Sequence, residues 1–233
     1  MTELPYRTAL IVGTGPGISA SVARRLTAEG LKIAIAARDT AKLAALAAET
    51  GAATFAVDAA DPTAVARLFA AVDGKLGQPD LVIYNAGARV RGPLVELEPA
   101  AVKQAIEVSA FGAFLVVQHA ARRMVPKGHG AILLTGATAG VKGFPLSAPF
   151  AMGKFALRGL AQSAARELAP KGIHVAHFVI DGGVRSAGRP DPAEKPDSTL
   201  DPDAIADAYL AVLRQKRSAW SWEVELRPWV ESF

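Results

Sequence analysis

Few residues of this chain are placed to do chemistry, and their spacing says which kind. In SAPFAMGKFALRGL, Ser147 to Leu160, Phe150 stands one helical turn before Lys154 on an otherwise small, apolar segment. The lysine offers an ammonium donor, and the phenylalanine beside it has no proton to give or take. Far upstream, GTGPGIS (13–19) sets Gly13, Thr14, Gly15, Gly17 and Ile18 between an apolar run and a helical pattern. A glycine turn there lets backbone N–H groups approach a phosphate at a helix N-terminus. About twenty residues on, where NAD-binding folds usually place an acid for the ribose, the chain instead reads AAR, ending at Arg38. An arginine there can receive a 2′-phosphate, which favours NADP over NAD. A plain helix-flanking charge is the other reading of it.

Two more groups fall just after apolar runs: Asp58 with Ala59, and Asn85–Ala86–Gly87. Either could be an ordinary turn, since Asn, Asp and Gly dominate turns. Their shared place, with Gly182 and Val184 after a later run, favours a nucleotide site. Asp181 in VIDGGV invites a role as a substitute acid, because a carboxyl after an apolar strand can stay protonated. A turn-forming aspartate before two glycines is the simpler reading.

Composition removes several classes. There is no cysteine, so no disulfide framework, thiolate metal site or cysteine nucleophile. Of the four histidines (His119, His129, His174, His177), only the last two are close. A strand would point them to opposite faces, so a paired metal site is not expected. The net charge of +4 is modest, and ARRM (121–124) and RQKR (214–217) read as solvated helix ends, with no nucleic-acid patch expected. The opening MTELPYRTALIVGTG lacks the features of a signal peptide, and no uncharged run approaches membrane-spanning length. A soluble cytoplasmic protein without a membrane partner is the expectation.

The elements that must carry these residues alternate along the 233-residue chain, 51% hydrophobic and 21% charged. Strand-length apolar runs occur at 8–12, 32–37, 54–57, 80–84, 131–135, 173–180 and 222–226, with helical-period segments between them. Asp61 with Pro62, and Asp201 with Pro202, are helix starts. A long helix spans about 99–124, and another holds Phe150 and Lys154. The prediction is one domain over 1–233, a Rossmann-type, doubly wound α/β sheet of about seven parallel strands with helices on both faces. Its ligands would lie at the carboxyl ends of the strands, where the order reverses. The polar, proline-rich stretch at 186–200 reads as a substrate-side loop or an exposed connection.

In their order and spacing GTGPGIS, YNAG, GAILLTGATAG, FAMGK and GIHVAHFVIDGGV resemble the short-chain dehydrogenase/reductase family over nearly all of the chain. The resemblance implies a dinucleotide lying across Gly13, Gly17, Arg38, Asp58 and Asn85. It also implies a homodimer or homotetramer built on the long helices around 100–124 and 150–169. Ser19 stands where the family often has a third glycine. The family's catalytic centre is an Asn, a Ser, a Tyr and a Lys. Its tyrosine exchanges the hydroxyl proton, its serine bonds the substrate oxygen, and its lysine lowers the tyrosine pKa and holds the ribose. Here the tyrosine position is Phe150, the serine position Ala137 and the asparagine position Ser109; only Lys154 remains.

Losing one acid–base group costs about 10²–10⁴-fold, so carbonyl reduction by the usual route is not expected. Three functions follow. The first is an NADP(H)-dependent oxidoreductase with an altered proton path, acting on a small apolar substrate beside Phe144 and Phe150. The second is an inactive NADP(H)-binding sensor or scaffold, and the third an isomerase or lyase. Thr138, next to Ala137, offers a hydroxyl for positioning only. Trp220, Trp222 and Trp229 read as packing at a sheet edge or an oligomer interface.

Overall fold

All eight residues of β6 (Ile173–Ile180) are buried, as are all six of β5 (Gly130–Thr135). That is what parallel strands covered on both faces require. The computed structural model describes residues 3–231. Around β5 and β6 it arranges one seven-stranded sheet in the order β3-β2-β1-β4-β5-β6-β7, every pairing parallel. The remaining strands are β1 (Thr8–Val12), β2 (Lys32–Ala37), β3 (Ala53–Ala56), β4 (Leu81–Tyr84) and β7 (Glu223–Leu226). The expected strands are all present, with β3, β4, β5 and β7 displaced by a residue at an end.

Alternation along the strands sorts side chains between two layers. Ile11 and Ile35 face a cluster with Leu26 of α1 (Ile18–Ala28), Leu46 of α2 (Ala44–Thr50) and Tyr209 of α7 (Pro202–Leu213). Leu10 and Val12 face the other cluster, with Phe69 of α3 (Pro62–Leu76), Val116 of α5 (Gly112–Met124) and Leu157 of α6 (Ala148–Leu168). Asp61 and Asp201 cap α3 and α7 as expected, each accepting from the backbone two residues on. Strand order reverses between β1 and β4, so the crevice opens where β1, β4 and β5 end.

The long helix differs from expectation. It runs as α4 (Pro99–Ile106), a π-helical turn (Glu107–Phe111) and α5. The π turn displaces one carbonyl from the helical ladder, and the buried Tyr84 hydroxyl donates to it at Val108. Gly112 makes the approach possible, because a Cβ there would lie 2.7 Å from that hydroxyl. The whole run Pro99–Lys127 is also long and apolar enough to cross a membrane by length and composition. Lys103, Glu107, Arg122 and Arg123 interrupt it, so no uncharged stretch within it reaches that length. Here Ala113, Val116 and Ala120 are buried against the sheet.

The connection at 186–200 is more ordered than its composition suggested. Val184 bridges to Leu200, Ser186 pairs with Arg189 across a tight turn, and Asp191 accepts from Thr199 N at 2.9 Å. Arg185 forms ion pairs with Asp191 and Asp201.

Candidate functional site

Two cavities open at the strand ends and meet at Asn85, Gly87, Ala88 and Arg89. One, of about 510 Å³, is walled by Gly13, Thr14, Arg38, Asp58, Ala59 and Ala86. The other, of about 610 Å³, is walled by Ala137, Thr138, Phe150, Lys154, Gly182 and Val184, with Ile18 at its edge. The sequence-predicted residues are thus divided between two adjoining chambers. Gly15, Gly17, Ser109 and Asp181 line neither.

The first chamber is built by close approach. Gly13 has φ +85°, and a Cβ on it would lie 2.2 Å from the backbone nitrogen of Ala86. Only glycine lets β1 turn this tightly under the β4 loop. Gly15 and Gly17 differ: a Cβ on either would meet nothing within 4 Å. The protein's own packing does not require them, whereas a phosphate approaching the start of α1 would. Ser19 is buried and bonded. Its hydroxyl donates to Gly13 O at 3.3 Å and accepts from Asn85 Nδ2 at 2.7 Å. Arg38 is exposed at the chamber mouth, and among the described residues no carboxylate pairs with it. Backbone donors beside open space, with an available guanidinium at the far end, fit a phosphorylated dinucleotide.

The second chamber centres on Lys154. Its Nζ donates to the Thr135 carbonyl at 2.7 Å, and burial pushes the ammonium down to about 8. The Phe150 ring centroid lies 5.9 Å from Nζ, and on the same ring Arg89 lies 5.2 Å away. Ser109, brought in by the π turn, accepts from Ala88 N at 3.3 Å. It can come so near α6 only because position 153 is glycine, where a Cβ would lie 2.7 Å from the Ser109 Cβ. Ala137 offers only a methyl to the chamber wall. Thr138 Oγ1 donates to Ile180 O at 3.4 Å, so that hydroxyl is directed to the backbone.

The role considered for Asp181 needs correcting. Its buried carboxylate lies 2.7 Å from Arg227 Nη2, an ion pair that engages it as an anion. His174 and His177 are packed residues. His174 stacks on Trp220 with ring centroids 4.7 Å apart, and His177 Nδ1 lies 3.0 Å from Glu223 Oε2, itself held by Arg158. Burial lowers both histidines, which keeps the imidazoles neutral. Trp222 packs near Arg158 at the β6–β7 edge, whereas Trp229 is exposed and donates to Pro196 O, pinning the 186–200 connection. No group of three metal-ligating side chains occurs among the described residues.

Sequence reasoning missed Gly153, Tyr84, Arg89 and Arg189. A glycine inside an otherwise regular helix was the available signal for Gly153. The arginines carried none, since they reach the chamber from loops with no period.

The family model for short chain dehydrogenase matches residues 7–192. Among curated relatives, an L-2,3-butanediol dehydrogenase of Corynebacterium glutamicum is 35% identical over 179 residues, 71% of this chain and 67% of that one. Among solved structures, a short-chain dehydrogenase of Rhodopseudomonas palustris is 34% identical with a TM-score of 0.82, covering 96% of this chain and 99% of that one. A metagenomic short-chain oxidoreductase in complex with NADP is 28% identical, with a TM-score of 0.84 over 95% and 97% of the two chains.

Proposed function

This chain belongs to the short-chain dehydrogenase/reductase family, and we propose that it is an NADP(H)-dependent oxidoreductase whose proton path runs through Lys154. The carrying observation is Lys154 itself, a buried ammonium at the chamber wall with a phenylalanine where a tyrosine would stand. Gly13 to Ile18 would receive the pyrophosphate, Arg38 the 2′-phosphate, Asp58 and Ala59 the adenine side, and Asn85 to Gly87 the middle of the dinucleotide. When bound, the dinucleotide supplies or accepts the hydride. The NADP complex of a similar oxidoreductase supports NADP(H) as the cofactor.

Three ionisable side chains line the second chamber: Arg89, Arg189 and Lys154. Guanidinium groups do not give up protons near neutrality. Lys154 does, because desolvation has brought it close to working pH, where a general acid is most effective. With one N–H on Thr135 O, its other two are available to a ribose hydroxyl and a substrate oxygen or nitrogen. In the reductive direction the acceptor atom takes a proton from Nζ, and water entering the chamber reprotonates the amine. Phe150 holds the ammonium by its ring face and shields it, without exchanging a proton. Exposed Phe111, Phe114 and Phe155, around α5 and on α6, support association of copies into a homodimer or homotetramer.

The empty acid positions at Phe150 and Ala137 favour one second reading, an NADP(H)-binding sensor or scaffold without turnover. Calorimetric titration with NADPH and NADH tests the shared part first. NADPH should bind in the micromolar range, and Arg38→Ala should weaken it about tenfold or more while leaving NADH unchanged. Lys154→Ala should weaken both nucleotides. Failure of either nucleotide to bind at millimolar concentration overturns the proposal. Binding without turnover of any activated ketone, imine or enone would favour the sensor.

A further inference from the structure

The substrate end of the second chamber is ringed by four cations from three separate segments. Arg89 and Arg189 line it directly. They also line an adjoining recess of about 320 Å³, which adds Arg91 and Lys142. Two carboxylates, Asp181 and Glu231, share that recess. The first is engaged by Arg227, which also pairs with Glu225, so the recess sets four positive side chains against Glu231 and a partnered Asp181. Among the described residues no carboxylate lies within ion-pair distance of Arg89, Arg91, Lys142 or Arg189. Elsewhere arginines are routinely paired, as Arg24 with Glu49, Arg123 with Asp73 and Arg158 with Glu223.

Two of the four are held in place. Arg89 lies over the Phe150 ring at 5.2 Å. Arg189 is fixed by two backbone hydrogen bonds with Ser186, of 2.9 and 3.1 Å, and its guanidinium crosses Gly183 so closely that a Cβ there would meet Nη1 at 2.6 Å. Apolar side chains complete the lining, with Phe144, Phe150, Ile180 and Val184. Like charges gathered without counter-charge repel one another, and an anionic ligand relieves that cost.

We propose that the substrate is an amphipathic carboxylate: an apolar body lies against Phe144 and Phe150, and its carboxylate is held by Arg89 and Arg189. A carboxylate suits these groups because a guanidinium can bind it through two parallel N–H donors. The proposal rests on the reading of this chamber as the substrate half of an NADP(H) site, and it refines the expectation of a purely apolar substrate.

The test uses the full chain saturated with NADP⁺, so that saturation itself reports on the cofactor proposal before substrate is added. Calorimetry then compares 4-phenylbutanoate with 4-phenylbutanamide, which keeps the shape and removes the charge. The carboxylate should bind at least about tenfold tighter, and rising salt should erode the difference. In an Arg89→Ala, Arg189→Ala double variant the preference should vanish while NADP⁺ still binds. Equal binding of acid and amide, no binding of either at about 10 mM to the NADP⁺-loaded protein, or a preference that survives the double variant overturns the proposal. A double variant that loses NADP⁺ instead assigns the arginines to the cofactor's phosphates and also overturns it.

Discussion

The wall around Gly13, Arg38 and Asp58 and the wall around Ala137, Phe150 and Lys154 share Asn85, Gly87, Ala88 and Arg89, yet they are built by different means. In the first, Ser19 makes two hydrogen bonds that tie the helix start to the turn. In the second, Phe150 and Ala137 bring no hydroxyl and the buried ammonium faces an aromatic ring. Backbone geometry builds the first wall, so exchanging one side chain leaves it working. Side-chain protons do the work of the second, so the same kind of exchange changes its chemistry. Function can therefore drift in one chamber while the other stays fixed.

The harshest test of that contrast strikes the backbone. Gly13→Ala meets both a positive φ and a steric collision at 2.2 Å with Ala86. It should cost about 3 kcal/mol or more of stability, read by urea unfolding, and abolish NADPH binding. A stable variant that still binds would mean that the turn is not what fixes the first wall.

The next test restores the lost protons. Phe150→Tyr combined with Ala137→Ser puts a phenol one helical turn from Lys154 and a hydroxyl beside it. NADPH-dependent reduction of activated ketones should rise about 10²-fold or more over the unaltered chain. If the double variant gains nothing, the second wall differs from its relatives in substrate recognition as well as in acid–base groups, and the contrast sharpens.

How these walls divide also explains what the sequence could reveal. Buried parallel strands are continuous apolar runs, so seven of them were countable. Asp61–Pro62 and Asp201–Pro202 announced their helices through local capping chemistry. The cofactor wall was legible for the same reason, since turn, strand end and helix start are adjacent in the chain. The other wall was legible only as a list of absent hydroxyls. Asp181 looked like a free acid because its partner Arg227 lies 46 residues on, across the β6–β7 pairing. The cationic ring draws on three loops, and neither period nor spacing forecasts where loop side chains converge. The π turn leaves no pattern either, because one displaced hydrogen bond barely alters the apolar stripe.

A smaller effect follows from the burial of Lys154. The ammonium titrates at about 8 instead of its ordinary 10.5. If Nζ gives the proton, kcat/KM for reduction should be level below about 8 and fall as pH rises through it. The linkage sign is opposite for stability. Between about 8 and 10.5 the unfolded chain holds the proton that the folded chain has shed, so this group's burial becomes less unfavourable as pH rises. A rate that rises through pH 8 would place the proton elsewhere, and the second wall would have lost its one remaining acid.

The mildest test probes the residue that joins the two walls. Asn85 lines both chambers, and its amide nitrogen is held by Ser19 Oγ at 2.7 Å and more weakly by Gly13 O at 3.5 Å. Ser19→Ala removes the shorter bond and the serine's own link to Gly13, with no steric change. Stability should fall by about 1 kcal/mol, the usual worth of a buried neutral hydrogen bond, and NADPH affinity by a few-fold. If affinity falls much further than stability, Ser19 acts by aiming Asn85 into the crevice. If both are unchanged, the amide finds an equal partner in a cofactor or in water, and the first wall tolerates even the loss of its own compensation.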